Sequence, residues 1–207
     1  MQIISHRGCW QSDSEKNTRK AFQRSFENGF GLETDLRDFQ RNIIISHDMP
    51  IGNEMGFNDL LDLANEKEYT LALNIKSDGM ASTLNRMLEK NEIKYFVFDM
   101  SIPDMKQYID LAMPVYTRIS EIESVPCFYK ESVGIWLDAF FSDWYLPSHI
   151  EKWINDGKKV CIVSPELHKR DYLPSWEMLK QNNFSNSQNL ILCTDFPIKA
   201  KSFFEIV

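Results

Sequence analysis

The chain has 207 residues, 43% hydrophobic and 13% aromatic, which is enough apolar material for one sizeable core and a length that reads as a single domain over 1–207. Its formal net charge of −7 argues against a nucleic-acid backbone or an anionic membrane surface as the main partner. The sequence opens in a strand-like run without a basic-then-apolar leader and contains no long apolar span, so a cytoplasmic protein with no transmembrane segment is expected.

Short β-branched or aromatic runs alternate with longer polar-faced helical stretches. In chain order the pattern predicts strands at 3–5, 32–36, 70–75, 96–99, 115–117, 133–138, 159–163 and 190–193. Helices are predicted between and after them at 18–28, 58–66, 81–90, 104–111, 148–155, 175–181 and 197–206. Residues 118–132 read poorly as a helix, so one crossover is expected to be irregular. Strands joined by helical crossovers make an α/β protein with a parallel sheet, and their number points to a closed (β/α)8 TIM barrel. A doubly wound open sheet is the alternative.

One run breaks this rhythm. The apolar stretch at 43–47 follows the second strand after only residues 37–42, too few for a parallel crossover. An antiparallel hairpin extension after strand two is the economical solution, with its turn near 39–42. That register sets Ser46 and His47 roughly opposite Asp35 and Glu33–Thr34.

Glu33 and Asp35 are two apart on a strand, so their side chains share a face. Inside a barrel, two carboxylates are costly unless a cation or hydrogen bonds compensate them, and hard oxygen donors suit Mg²⁺ or Ca²⁺. The plainer reading is an exposed strand with ordinary polar alternation. Asn74 and Lys76 form a second pair of the same period, an amide oxygen for a cation and an ammonium for a phosphate oxygen. They read equally well as residues closing a strand. His6 ends the first strand, which in a barrel places it in the same mouth. Arg7 offers planar donors to phosphate, or an ion pair to Asp48 or Asp195. Arg118, Asp138 and nearby Trp136 can line a substrate pocket, with structural ion pairing as the alternative. His149 and His168 are expected on the surface. The cysteines at 9, 127, 161 and 193 form no C-x-x-C pair, and Cys161 and Cys193 read as buried thiols.

The ordered set His6-Arg7-Gly8, Asn17-Thr18 with Ala21-Phe22, Glu33-Thr34-Asp35, His47-Asp48 and Thr194-Asp195-Phe196-Pro197 resembles the glycerophosphodiester phosphodiesterase family. That family is part of a superfamily that includes phosphatidylinositol-specific phospholipase C. The resemblance implies a (β/α)8 barrel, a Mg²⁺ or Ca²⁺ ion and phosphodiester cleavage. On that basis Glu33, Asp35 and Asn74 are expected to hold the metal, and Arg7 and Lys76 the phosphate. His6 and His47 are expected to share the acid and base roles, in an order the sequence leaves open.

Three departures bear on this expectation. Asn74 stands where the family usually has a third metal-binding Glu. Glu15-Lys16 replaces the usual Pro-Glu before Asn17-Thr18. Only residues 49–69 separate His47-Asp48 from the next strand, where family members acting on glycerophosphodiesters generally carry a longer insertion. In this last respect the layout is similar to that of the sphingomyelinase D relatives. The expected function is therefore metal-dependent hydrolysis of a small phosphodiester. The alternatives are a non-catalytic phosphate-ligand binding protein and a metal-independent, phospholipase C-like lyase.

Overall fold

Eight parallel strands form a nearly closed barrel in a computed structural model that describes residues 1–64 and 68–206. The first half runs β1 (Gln2–His6), α1 (Arg19–Glu27), β2 (Gly31–Phe39), β3 (Asn42–Ile45), α2 (Phe57–Ala64), β4 (Thr70–Ile75), α3 (Ala81–Leu88), β5 (Lys94–Phe98) and α4 (Ile102–Asp110). The second half runs β6 (Tyr116–Ile119), β7 (Gly134–Leu137), α5 (Pro147–Asn155), β8 (Lys159–Val163), α6 (Leu173–Gln181), β9 (Leu190–Thr194) and α7 (Pro197–Phe203). Residues 65–66 of the helix predicted at 58–66 lie outside the described residues.

The strand order is β5-β4-β2-β1-β9-β8-β7-β6, with chain-neighbouring β5 and β6 at the two edges. A single bridge between Val97 and Val115 joins those edges, with the Val97 amide donating to the Pro114 carbonyl at 2.9 Å. β3 runs antiparallel to β2, pairing Leu36 with Ile45 and Phe39 with Asn42. The two residues between them, Gln40 and Arg41, have φ of 49° and 68°, the left-handed pair that a tight hairpin requires.

Period-two alternation divides the strands between two environments. Leu32, Leu36, Leu71, Leu73 and Ile75 face outward against α1, α2 and α3. Ile4, Ala72, Phe96, Phe98, Tyr116, Trp136, Cys161 and Cys193 fill the interior. Phe96 stacks on Tyr116 and Phe98 on Trp136, each at 3.8 Å between ring centroids. Burial pushes the thiols of Cys161 and Cys193 well up, so both are inert filling. Helix entries carry their own signals: Thr18 and Ser101 cap α1 and α4, and Pro147, Pro174 and Pro197 sit in the first turns of α5, α6 and α7. The crossover from β6 to β7 is built without a helix among the described residues, and it crosses the segment that read poorly as one. No helix among the described residues is long and apolar enough to cross a membrane.

Candidate active site

The sheet register gathers the N-terminal motifs at the C-terminal end of the barrel. His6 aligns with Glu33 across β1 and β2, and Asp35 aligns with Asn74 across β2 and β4. Arg7 and Gly8 then turn the chain sharply, with φ of 55° and 94°. A Cβ on Gly8 would come within 2.7 Å of the Ala21 Cβ, so only glycine fits where this turn meets α1. The Arg7 amide donates to both the carbonyl and the Oε2 of Glu33, at 3.0 and 3.1 Å.

Asp35 is fully buried and surrounded by positive or donating groups. Arg7 Nε lies 2.9 Å from its Oδ2, Lys76 Nζ lies 3.3 Å from its Oδ1, and the Asn17 amide donates at 2.9 Å. Burial alone would raise its pKa, but Arg7, Lys76 and Asn17 outweigh that and hold it below the usual carboxylate value. Glu33, also buried, behaves oppositely. Burial, with the Asp35 charge beside it, pushes its carboxyl up to about 7. Of the ion-pair partners open to Arg7 as an alternative to phosphate, neither Asp48 nor Asp195 is taken; the left-handed turn at its own backbone delivers it to Asp35.

Asp35 Oδ1 and Asn74 Oδ1 are both buried without a hydrogen-bond partner, since the contact from Lys76 lacks hydrogen-bond alignment. Two orphaned oxygens on register-paired residues, beside the Glu33 carboxylate, form a donor set that fits a hard divalent cation. Among the described residues no group of three His, Cys, Asp or Glu side chains is arranged to hold a metal, so the fit depends on the Asn74 amide.

His6 Nδ1 is 2.7 Å from Asp195 Oδ1, and its Nε2 is 3.9 Å from Glu33 Oε2. Asp195 is itself held in place, because Glu166 Oε1 accepts from its amide at 3.0 Å and from the Thr194 hydroxyl. The second Glu166 oxygen accepts from Ser164, whose hydroxyl accepts from the Trp176 indole at 2.8 Å. Sequence reading singled out neither Glu166 nor this chain of bonds. The Thr194-Asp195-Phe196-Pro197 motif was the available signal, since β9 pairs with β1 and brings Asp195 beside His6. Asn17 was likewise noted only as part of a motif. Its side chain bridges Thr34 and Asp35.

His47 follows β3, where the Ser46 amide donates to the Asp35 carbonyl at 3.0 Å. Its side chain is 44% exposed, with Nδ1 2.8 Å from Asp48 Oδ1. It shares with Arg7, Lys16 and Asn17 an open cleft of about 820 Å³. On the β4–β6 side, Lys76 and Arg118 line a second cavity of about 290 Å³. Arg118 there is compensated by Asp99, by Glu123 at 3.4 Å and by Asp138 at 3.8 Å. Two readings need correction. Trp136, expected in a substrate pocket, is only 4% exposed, because its strand position turns it inward onto Phe98. His168, expected on the surface, places Nε2 2.5 Å from the Oδ1 of buried Asp138, which also accepts from the Ala139 amide at 3.0 Å.

No family model and no curated protein matches the sequence. The backbone nevertheless defines a class: a parallel barrel whose mouth joins histidine to buried acids, with the fold of the glycerophosphodiester phosphodiesterases. It is similar to the glycerophosphoryl diester phosphodiesterase from Parabacteroides distasonis ATCC 8503, with a TM-score of 0.69 at 14% identity over 99% of this chain and 86% of that one. It is also similar to the glycerophosphodiester phosphodiesterase from Agrobacterium tumefaciens str. C58, with a TM-score of 0.63 at 15% identity over 98% and 99% of the two chains.

Proposed function

We propose that this protein hydrolyses a phosphodiester at the mouth formed by β1, β2, β4 and β9. The observation that carries the reading is His6, fixed through Nδ1 by Asp195 while Nε2 lies toward Glu33. With Asp195 accepting the Nδ1 proton, Nε2 is left as the basic nitrogen, the tautomer a general base needs. His6 takes the proton from the attacking hydroxyl, either water or a neighbouring hydroxyl of the substrate, and His47 protonates the leaving oxygen. Arg7 and Lys76 stabilise charge on the phosphoryl oxygens. Glu33, Asp35 and Asn74 would hold one Mg²⁺ or Ca²⁺, which when bound supplies Lewis-acid stabilisation of a non-bridging oxygen. The fold likeness to the two phosphodiesterases supports the reaction class.

A screen of diverse phosphodiesters with and without divalent cations tests this reading. The wild type is expected to turn over at least one in a chelator-reversible way. His6→Ala and His47→Ala should each lower the rate by about 10²–10⁴-fold, as for loss of a positioned acid or base. Small, equal effects from both would overturn the assignment. For the metal, Asn74→Glu should tighten Mg²⁺ or Ca²⁺ binding in calorimetry, and an unchanged affinity would put Asn74 outside the shell.

A second reading draws on the Arg7–Asp35–Lys76 cluster, where two fixed cations already neutralise the carboxylate. It is a metal-independent, phospholipase C-like lyase, distinguished by a cyclic phosphate product and indifference to EDTA.

A further inference from the structure

The helix-free crossover from β6 to β7 leaves open ground beside the barrel, and two cavities lie there with Val125 and Pro126 in the walls of both. One is the charged cavity of about 290 Å³ that holds Lys76 and Arg118. The other, of about 370 Å³, is walled by Ile119, Tyr129, Trp144 and Trp153, with Lys152 among its lining residues. An open cleft of this size, walled by aromatic and aliphatic groups, falls at the small end of known ligand sites, and its surface is unfavourably wet when empty. It has no place in the reaction described above.

We propose that this aromatic cleft takes the hydrocarbon chain of the substrate, so that the alcohol of the phosphodiester is a single-chain lipid rather than glycerol or another water-soluble alcohol. The inference rests on the phosphodiesterase reading. Adjacency of the two cavities carries it: they share Val125 and Pro126 in their walls, so phosphate held at the Lys76 and Arg118 side leaves its alcohol one dipeptide away from an apolar wall.

The distribution of exposed apolar residues supports the same occupant. Met49, Ile51, Ile122, Val125, Phe141 and Leu146 are 58–84% exposed; the last four lie in segments that leave the C-terminal ends of barrel strands, and Met49 and Ile51 line the mouth cleft with Arg7 and His47. Ile102, Leu173 and Ile198, also exposed, open α4, α6 and α7 at that same end. Only Leu111 and Val133 of the exposed large apolar side chains among the described residues lie at the opposite end. A chain delivered from a lipid surface or micelle therefore meets the apolar end first.

The test is calorimetry of the intact protein with dodecylphosphocholine below its micelle concentration, against glycerophosphocholine, which carries the same phosphocholine group esterified to glycerol in place of the hydrocarbon chain. Saturable binding of dodecylphosphocholine is expected, at least tenfold tighter than glycerophosphocholine. It should weaken about fourfold for each methylene removed from the chain, the increment for burying one such group. Ser124→Trp, which fills the cleft from an exposed position, and Lys152→Glu, which sets a carboxylate at the cleft, should each weaken binding at least tenfold. Both should leave hydrolysis of bis(p-nitrophenyl) phosphate unchanged.

Equal affinity for the two ligands, no dependence on chain length, or wild-type binding by both variants overturns the proposal. A solution dimer that Ser124→Trp dissociates also overturns it, because the cleft would then be a contact between copies. Chain-length-dependent binding without turnover of any phosphodiester would support the cleft assignment and reject the catalytic reading, so the two failures are separable.

Discussion

His6 is anchored by a residue 189 positions away in the sequence, and that distance explains what could and could not be read in advance. The inward pair Glu33 and Asp35 and the Asn74–Lys76 pair were legible, because strand period alone puts each pair on one face and parallel register aligns them. The partners of these residues were not. Asp195 on His6, Glu166 behind Asp195 and His168 on Asp138 arise from strand pairing and loop closure around the rim, which no local pattern encodes. Asp195→Asn tests the anchor: it keeps the shape but can offer Nδ1 a donor instead of an acceptor, favouring the wrong tautomer. The expected outcome is a fall in kcat smaller than that of His6→Ala, with KM little changed and the pH–rate profile displaced, measured by steady-state kinetics.

The β2–β3 hairpin shows how an element carries chemistry to a site. Parallel strands need long crossovers, so a short antiparallel return is how His47 follows so closely on Asp35 without another helix. Its turn places Gln40 and Arg41, neither suited to left-handed backbone, at positive φ. Replacing them by Asn-Gly should stabilise the protein by about 1 kcal/mol, from removing left-handed strain, read as a raised midpoint in urea denaturation. Strand and helix positions were legible from periodicity, whereas their ends were decided by caps. Ser101 and Pro103 start α4 ahead of its apolar pattern, and α7 stops at Phe203, before a left-handed Glu205. The irregular crossover was legible only as missing helical pattern; that it borders a cleft depended on side chains from α5 and the β7–α5 loop.

At the scale of the molecule, the loop between β1 and α1 depends on one carboxylate. Glu15 accepts from the Gln11 amide, from Lys20 and from Arg24, at 2.8–2.9 Å, and those bonds hold its pKa down at about 2, against an ordinary 4.5. A depressed folded-state pKa contributes stability that is complete above about 4.5 and lost as pH falls toward about 2. Glu15→Gln should therefore lower Tm at neutral pH while flattening the acid decline in that window, measured by calorimetric melts across pH. An unchanged acid limb would show that other carboxylates control it. Because the same loop carries Asn17 to Asp35, acid should loosen the mouth along with the fold.

The barrel is in effect a rolled sheet whose outer margins are consecutive in the chain and fastened by a single bridge, while the strands nearest the two termini pair at its middle. Opening that fastening bares two unpaired backbone margins at once, each able to recruit a strand from another molecule. Aggregation under mild stress is thus expected to begin between Val97 and Val115, and stacking of Phe96 on Tyr116 across that line is the protein's own safeguard against it.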